Sequence, residues 1–182
     1  MCDLVILYSG GADSRLMLEI ALRQEYKPYC VLVNYGQLHI EELSYAVKQL
    51  EEKNIPNHAV KITGLNIDSG LTGDGKKGTY EGVHEMHVPS RNMMFVGVAA
   101  SIAENMGVNR IWYGADYSDY LNAFPDCKQE WVGRMSKVLE INGPNPIYLE
   151  APLCGMTKVD IVKLLQTFGI KNEEVYSGYG DL

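Results

Sequence analysis

Apolar residues in this chain fall into short unbroken runs that alternate with longer stretches where they recur every three or four positions. Leu4-Val5-Ile6-Leu7-Tyr8 is the first run and stops at Ser9-Gly10-Gly11. A run this short, rich in β-formers and lacking polar alternation, predicts a strand buried on both faces. Leu16, Met17, Ile20 and Leu22 follow at helical spacing and predict a helix from Asp13 to Gln24. Tyr29–Asn34 reads as a second buried strand, ended by Tyr35-Gly36. Leu43, Ala46, Val47 and Leu50 mark a helix within Ile40–Lys53, and His58–Ile62 reads as a third strand.

The second half keeps the rhythm. Asn92–Met106 predicts a helix with Met94, Val98, Ala99, Ile102 and Ala103 turned inward. Arg110–Gly114 predicts a fourth strand. Cys127–Leu139 predicts a helix buried through Trp131, Met135 and Val138, and Ile147–Leu149 a short fifth strand. Thr157 is placed to cap a last helix, Lys158–Phe168, which stops at Gly169. Strand, helix and strand in alternation imply right-handed βαβ units, so the expected architecture is α/β: a doubly wound, Rossmann-like, parallel five-stranded sheet with helices on both faces. One domain over residues 1–182 is expected. The glycine-rich segment 63–88 breaks the pattern and reads as a lid-like loop on the substrate side, and 170–182 as a short polar tail.

Composition narrows the function classes. Sixteen Lys and Arg against 23 Asp and Glu give the 182-residue chain a net charge of -7. That balance argues against a general nucleic-acid binder, which needs a basic face. No apolar run is long enough to cross a bilayer, and Met1-Cys2-Asp3-Leu4 does not begin a secretory leader, so a cytoplasmic protein with no membrane partner is expected. The four cysteines, Cys2, Cys30, Cys127 and Cys154, form no CxxC or CxxxC pair, which fits reduced thiols rather than a zinc knuckle.

The most informative stretch is Ser9-Gly10-Gly11-Ala12-Asp13-Ser14, between a buried strand and a helix. Two glycines allow a tight turn that exposes backbone N–H groups. Ser9 and Ser14 add hydroxyls, and the helix N-terminus points its positive end at the same place. Together they suit a phosphate. Neither the Walker pattern nor the dinucleotide fingerprint is present. The alternative is a plain strand-to-helix turn capped by Asp13 and Ser14.

The SGGxDS pattern after a hydrophobic strand resembles the signature of the PP-loop ATP pyrophosphatases. Further motifs resemble one branch of them, the 7-cyano-7-deazaguanine synthases: Tyr35-Gly36-Gln37 with His39 and Glu42, Val88-Pro89-Ser90-Arg91-Asn92, Asp116-Tyr117-Ser118 followed by Phe124-Pro125-Asp126-Cys127, and Ala151-Pro152-Leu153 followed by Lys158 and Ile161. They lie in the family's order and span nearly the whole chain.

The resemblance implies an adenine nucleotide alpha-hydrolase-like fold and cleavage of ATP between its α- and β-phosphates. It implies Tyr8, Ser9, Gly10, Gly11, Asp13, Ser14, Asn34, Tyr35, Arg91, Asn92, Gly114 and Lys158 as ATP or phosphate contacts. Asp13, Arg91 and Lys158 would be the catalytic residues, with Asp13 holding Mg²⁺. Gln37, His39, Glu42, Asp116, Asp126 and Cys127 would contact the substrate. Bland readings stand beside these. Arg91 would be a surface ion pair, Asp13 a helix cap, His39 and Glu42 a polar surface pair, and Cys127 a packed thiol. His58 reads as structural. His84, Glu85 and His87 read as a solvated run.

The implied reaction is a ligation that forms AMP and pyrophosphate. 7-Carboxy-7-deazaguanine, ammonia and ATP would give 7-cyano-7-deazaguanine, in a homodimer. Alternatives are an enzyme that stops at 7-amido-7-deazaguanine or takes another carboxylate, and a non-catalytic ATP-binding subunit or sensor. The sequence departs from the family where a four-cysteine zinc cluster is expected after the last helix. Val175 stands at the first of those positions, so no zinc site is expected. Ala12 and Ser90 are small variations within the motifs.

Overall fold

The structure is a computed structural model that describes residues 1–37, 41–64, 71–72, 87–121, 124–171 and 175. His39, most of the 63–88 segment including His84 and Glu85, and nearly all of 170–182 lie outside the described residues. Strand β1 is Leu4–Leu7, followed by helix α1 (Ala12–Arg23), β2 (Pro28–Asn34), α2 (Glu41–Glu52) and β3 (Asn57–Lys61). Next come α3 (Arg91–Met106), β4 (Arg110–Trp112), the short α4 (Tyr117–Leu121) and a 3-10 turn at Pro125–Cys127. The chain continues with α5 (Gln129–Asn142), β5 (Tyr148–Glu150) and α6 (Lys158–Thr167).

All five strands run parallel in the order β3-β2-β1-β4-β5. β1 is central, with Val5 in register with both Tyr29 and Ile111. Its alternate residues face opposite ways. Leu4 and Ile6 join Leu16, Met17, Ala46, Leu50, Ile161 and Leu165 of α1, α2 and α6. Val5 joins Val96, Ala99, Ala103, Val132 and Leu139 of α3 and α5. Both faces of the sheet are therefore covered, which is why the strands read as unbroken apolar runs.

The chain builds the sheet outward from β1 to β3, then returns to the other side of β1 to lay down β4 and β5. The connections after β1 and β4 therefore lead away from each other. In an open α/β sheet the crevice at that reversal, outside the carboxyl ends of the strands, is where ligands bind. The Ser9–Ser14 turn and the Gly114–Asp116 turn flank it.

Three readings of the sequence change. The buried stripe of α3 is Asn92, Val96, Ala99, Ala100 and Ala103, with Met94, Val98 and Ile102 only partly covered. This helix is apolar on most sides, so spacing alone did not fix its inward face. Val138 is 53% exposed, and α5 buries Val132 and Leu139 instead. Finally, Tyr117–Leu121 is helical, and Pro125–Cys127 forms a 3-10 turn ahead of α5, so that helix starts at Gln129 rather than Cys127. No described helix is long and apolar enough to cross a membrane.

Candidate functional site

The turn after β1 is shaped by one glycine more than the other. Gly10 has φ +88°, and a Cβ there would lie 2.9 Å from Ala46 Cβ and 3.7 Å from the Glu42 carbonyl oxygen. Both conformation and space demand glycine at this point. Gly11 has φ -72° and ψ 170°, an extended geometry any residue adopts. Gly11 is the N-cap of α1, and no side chain caps that helix. The hydroxyl of Ser14 turns back instead. Its Oγ accepts from the Gly10 N–H at 3.0 Å and the Ser9 N–H at 3.2 Å, and donates to the Gly11 carbonyl at 3.0 Å. Ser9 Oγ stands 3.2 Å from it. The Ser9 and Gly10 N–H groups thus converge on one oxygen, as they would on an anion, while the Gly11 N–H donates to Ser9 Oγ at 3.3 Å.

On the other side of the crevice, Gly114 brings β4 close to α1. A Cβ at this position would lie 3.1 Å from Met17 Cε and 3.8 Å from Asp13 Cβ. Asp13, Asp116 and Asp119 come together here, with one carboxylate oxygen from each within 4.8 Å of the others. The Lys158 ammonium enters from the first turn of α6. It lies 2.7 Å from Asp13 Oδ2, 2.6 Å from Asp116 Oδ2 and 3.7 Å from Asp119 Oδ2. Asp116 Oδ1 also accepts from the Ser118 and Asp119 N–H groups, while Ser118 Oγ accepts from the Lys158 N–H at 3.0 Å. The short helix α4 is therefore tied to the start of α6.

Burial and charge compete in this cluster. Burial works against the Lys158 charge, but Asp13, Asp119 and Asp116 outweigh it and hold the ammonium above the ordinary lysine range. Burial raises the Asp13 carboxyl despite the pull of Lys158. Asp119 is pushed up to about 7, mainly by burial and then by Asp116 and Asp13, against the pull of Lys158.

The residues also fit a hard divalent cation. Asp13 Oδ1 is buried with no hydrogen-bond partner among the described residues. Three carboxylates against one ammonium leave two formal negative charges in an all-oxygen site.

A second group lies at the N-terminus of α3. Arg91 is half-buried, with Nη1 3.3 Å from Tyr35 Oη and its guanidinium 5.8 Å from the Tyr35 ring centre. Tyr35 itself packs on Phe95 at 5.1 Å. Burial opposes the Arg91 charge, but Tyr35, Asp126 and Tyr113 overcome it. Ser90, just ahead of α3, is left-handed at φ 55°.

Next to Arg91, Asn92 Nδ2 donates to Asp126 Oδ2 at 2.8 Å. Tyr113 Oη reaches the Asp126 carbonyl at 3.4 Å and Cys127 Sγ at 3.8 Å. Cys154 Sγ donates to the Cys127 carbonyl at 3.5 Å. Burial, then Asp119 and Asp126, push the Cys127 thiol up to about 12. Cys127 thus feels both the lysine cluster and the Asp126 group, which makes the two halves neighbours.

Tyr8 is buried and its Oη donates to Gln49 Oε1 at 3.1 Å, on the α2 side of the sheet. Asn34 Oδ1 accepts from the Gly36 N–H, and Gln37 Oε1 accepts from the Tyr35 N–H at 3.1 Å. Gln37 also pairs with Thr72 in an isolated antiparallel bridge, so the segment after β3 returns to the end of β2. Glu42 is partly buried, with its backbone beside Gly10. Asp116 joins Asp13, Asp119 and Lys158. Sequence reasoning missed Asp119. The Asp116-x-x-Asp119 spacing, which brings both carboxylates to one side of a helical turn, was the available signal.

The chain matches the model of the queuosine biosynthesis protein QueC family over residues 3–181. It is 31% identical over 182 residues to the 7-cyano-7-deazaguanine synthase of Pseudoalteromonas translucida, covering 96% of this chain and 83% of that one. It is 30% identical to the synthase of that name from Thermoplasma volcanium, covering 96% and 77%. Among solved structures it resembles a U34-tRNA thiolase from Methanococcus maripaludis, at 16% identity and TM-score 0.62. The alignment covers all of this chain and 61% of that one, so this chain spans about three fifths of the thiolase. A predicted subunit of a tRNA methyltransferase from Methanocaldococcus jannaschii is similar at 18% identity and TM-score 0.57, over 91% of this chain and 74% of that one. These two share the parallel α/β fold. Matched across almost its full length by the family model and by curated synthases at about 30% identity, the chain belongs to the QueC family.

Proposed function

We propose that this chain is an ATP-dependent synthase that converts 7-carboxy-7-deazaguanine and ammonia into 7-cyano-7-deazaguanine. The observation that carries this is the Ser9–Ser14 turn, whose Ser9 and Gly10 N–H groups converge on the Ser14 hydroxyl at the crevice where the sheet reverses. A phosphate oxygen is a stronger acceptor than that hydroxyl and would take its place. The names of the curated relatives supply the base.

In this reading the carboxylate oxygen attacks the ATP α-phosphorus and pyrophosphate leaves. Ammonia then displaces AMP to give the amide. A second ATP adenylates the amide oxygen, and loss of AMP and a proton leaves the nitrile. Hydroxide and oxide leave poorly, whereas AMP leaves well, so the chemistry is driven by ATP and needs no protein nucleophile. The protein holds the reactants together and offsets developing charge. Arg91 meets the leaving pyrophosphate. Lys158 holds Asp13 in place at the cradle. Mg²⁺ on Asp13, Asp116 and Asp119 would screen the phosphate charge. The proposal includes a cytoplasmic homodimer.

A second reading stops at the amide. It is favoured by Val175, which packs in the core with Ile161, Leu165 and Ile170 where the family resemblance expects a zinc-binding cysteine. Incubating the protein with ATP, ammonia and 7-carboxy-7-deazaguanine, followed by mass spectrometry, tests both. Nitrile supports the first reading and amide alone the second. Unchanged carboxylate sinks both.

A further inference from the structure

Asp126 lies in the 3-10 turn beside the crevice and is only 9% exposed. One of its oxygens is accounted for, since Oδ2 accepts from Asn92 Nδ2 at 2.8 Å. The other, Oδ1, is buried and has no hydrogen-bond partner among the described residues. A buried carboxylate oxygen without a donor is costly and uncommon in native proteins, so it marks a place where a donor is missing. The described neighbours do not provide one. Tyr113 reaches the Asp126 backbone carbonyl and not its carboxylate, and the Arg91 hydrogen bond goes to Tyr35.

We propose that Asp126 is the specificity residue for the base, and that its carboxylate accepts from the paired donors of a 2-amino-4-oxopyrimidine edge. That edge presents a ring N–H and an exocyclic N–H side by side and parallel, at about the separation of two carboxylate oxygens. Oδ1 takes one donor outright. Oδ2 keeps a free lone pair for the other, because a carboxylate oxygen accepts more than one hydrogen bond. Asn92 is the positioning residue: its amide fixes the rotation of the carboxylate from the first turn of α3. Arg91, one residue away, offsets the charge of Asp126, as its raised basicity indicates. An adenine ring has no such adjacent donor pair, so the residue selects the acceptor substrate and not ATP. This inference rests on the proposed function only for the class of base.

The experiment measures binding by calorimetry with the full chain, using 7-deazaguanine and 7-deazahypoxanthine, which differ only in the 2-amino group. Neither carries the carboxylate, so the measurement does not depend on turnover. The wild type binds 7-deazaguanine at least about ten-fold more tightly, the discrimination expected when a built acceptor loses its donor. Asp126→Asn brings the ratio close to one while ATP affinity stays within about two-fold. Asn92→Ala lowers the ratio partway, and Asn92→Gln does not restore it, because the longer amide cannot hold the same rotation. Equal affinity of the wild type for both bases overturns the proposal, as does an unchanged ratio in Asp126→Asn. A protein that discriminates the bases but never consumes the carboxylate keeps this inference and contradicts the proposed reaction.

Discussion

Lys158 Nζ donates to Asp13 Oδ2 at 2.7 Å, a contact between residues 145 positions apart. It links the first turn of α6 to the first turn of α1 across the mouth of the crevice. The same ammonium touches Asp116, whose side chain is fully buried. One cation therefore holds together the two turns, after β1 and after β4, that frame the site. Replacing it by a neutral residue leaves three carboxylates facing one another. The lysine side chain is 42% exposed, so solvent tempers the loss. Lys158→Met is expected to cost about 2 kcal/mol in urea unfolding. Adding Asp119→Asn should recover part of it by removing one negative charge. A double variant no more stable than Lys158→Met would show that the carboxylates are not in conflict.

The two cradle glycines should behave differently. At Gly10 a side chain meets Ala46 at 2.9 Å in a left-handed backbone. Gly10→Ala should therefore cost about 2 kcal/mol and abolish pyrophosphate release from ATP. Gly11→Ala meets only Ser9 Oγ, at 3.5 Å, and should change thermal stability by less than about 1 kcal/mol. Equal destabilisation by the two would contradict the assigned backbone geometry.

Ser90 occupies a left-handed conformation, φ 55° and ψ 14°, directly before Arg91. A non-glycine residue there carries strain of about 1–2 kcal/mol, while glycine adds unfolded-state entropy that cancels part of the relief. Ser90→Gly should therefore stabilise the fold by about 0.5 kcal/mol, read as a raised denaturation midpoint. A clear loss of stability would mean that the serine side chain contributes more than its backbone costs.

Cys127 offers a test by pH. With its thiol pushed up to about 12, only about 1 molecule in 10⁴ is thiolate at pH 8, against about a quarter for an ordinary cysteine. Alkylation of Cys127 by iodoacetamide, followed by peptide mass spectrometry, should be about 10³-fold slower than that of a free thiol. The rate should keep rising with pH beyond 10, because raising the pH populates the thiolate. Rapid labelling that levels off near pH 8 would place the thiol in an unperturbed setting.

The sheet was readable because both of its faces are covered. That made Leu4–Leu7 and Tyr29–Val33 continuous apolar runs, as buried strands of that length are. The cradle was readable because SGGADS combines a conformational requirement with donor groups in a fixed order. The inward face of α3 was not, since apolar side chains surround most of that helix and several stripes were equally plausible. Asp119 stayed hidden for a different reason. The Asp116-x-x-Asp119 spacing puts the two carboxylates on one side of a turn, but the lysine they meet arrives only because α4 is bound to α6 through Ser118 and Lys158, a contact between distant segments. The orphaned oxygen of Asp126 is likewise a property of packing, visible only once Asn92 has claimed its neighbour.

The central claim is that ATP activates the substrate by transferring AMP to its carboxylate oxygen. It is tested most directly with 7-carboxy-7-deazaguanine labelled with ¹⁸O in both carboxylate oxygens, turned over with ATP and ammonia and followed by mass spectrometry of the nucleotide. Each adenylation moves one substrate oxygen onto AMP. The account predicts ¹⁸O in AMP, unlabelled pyrophosphate, and two labelled AMP molecules for each nitrile formed. Unlabelled AMP, or label appearing in inorganic phosphate alongside ADP, would contradict it.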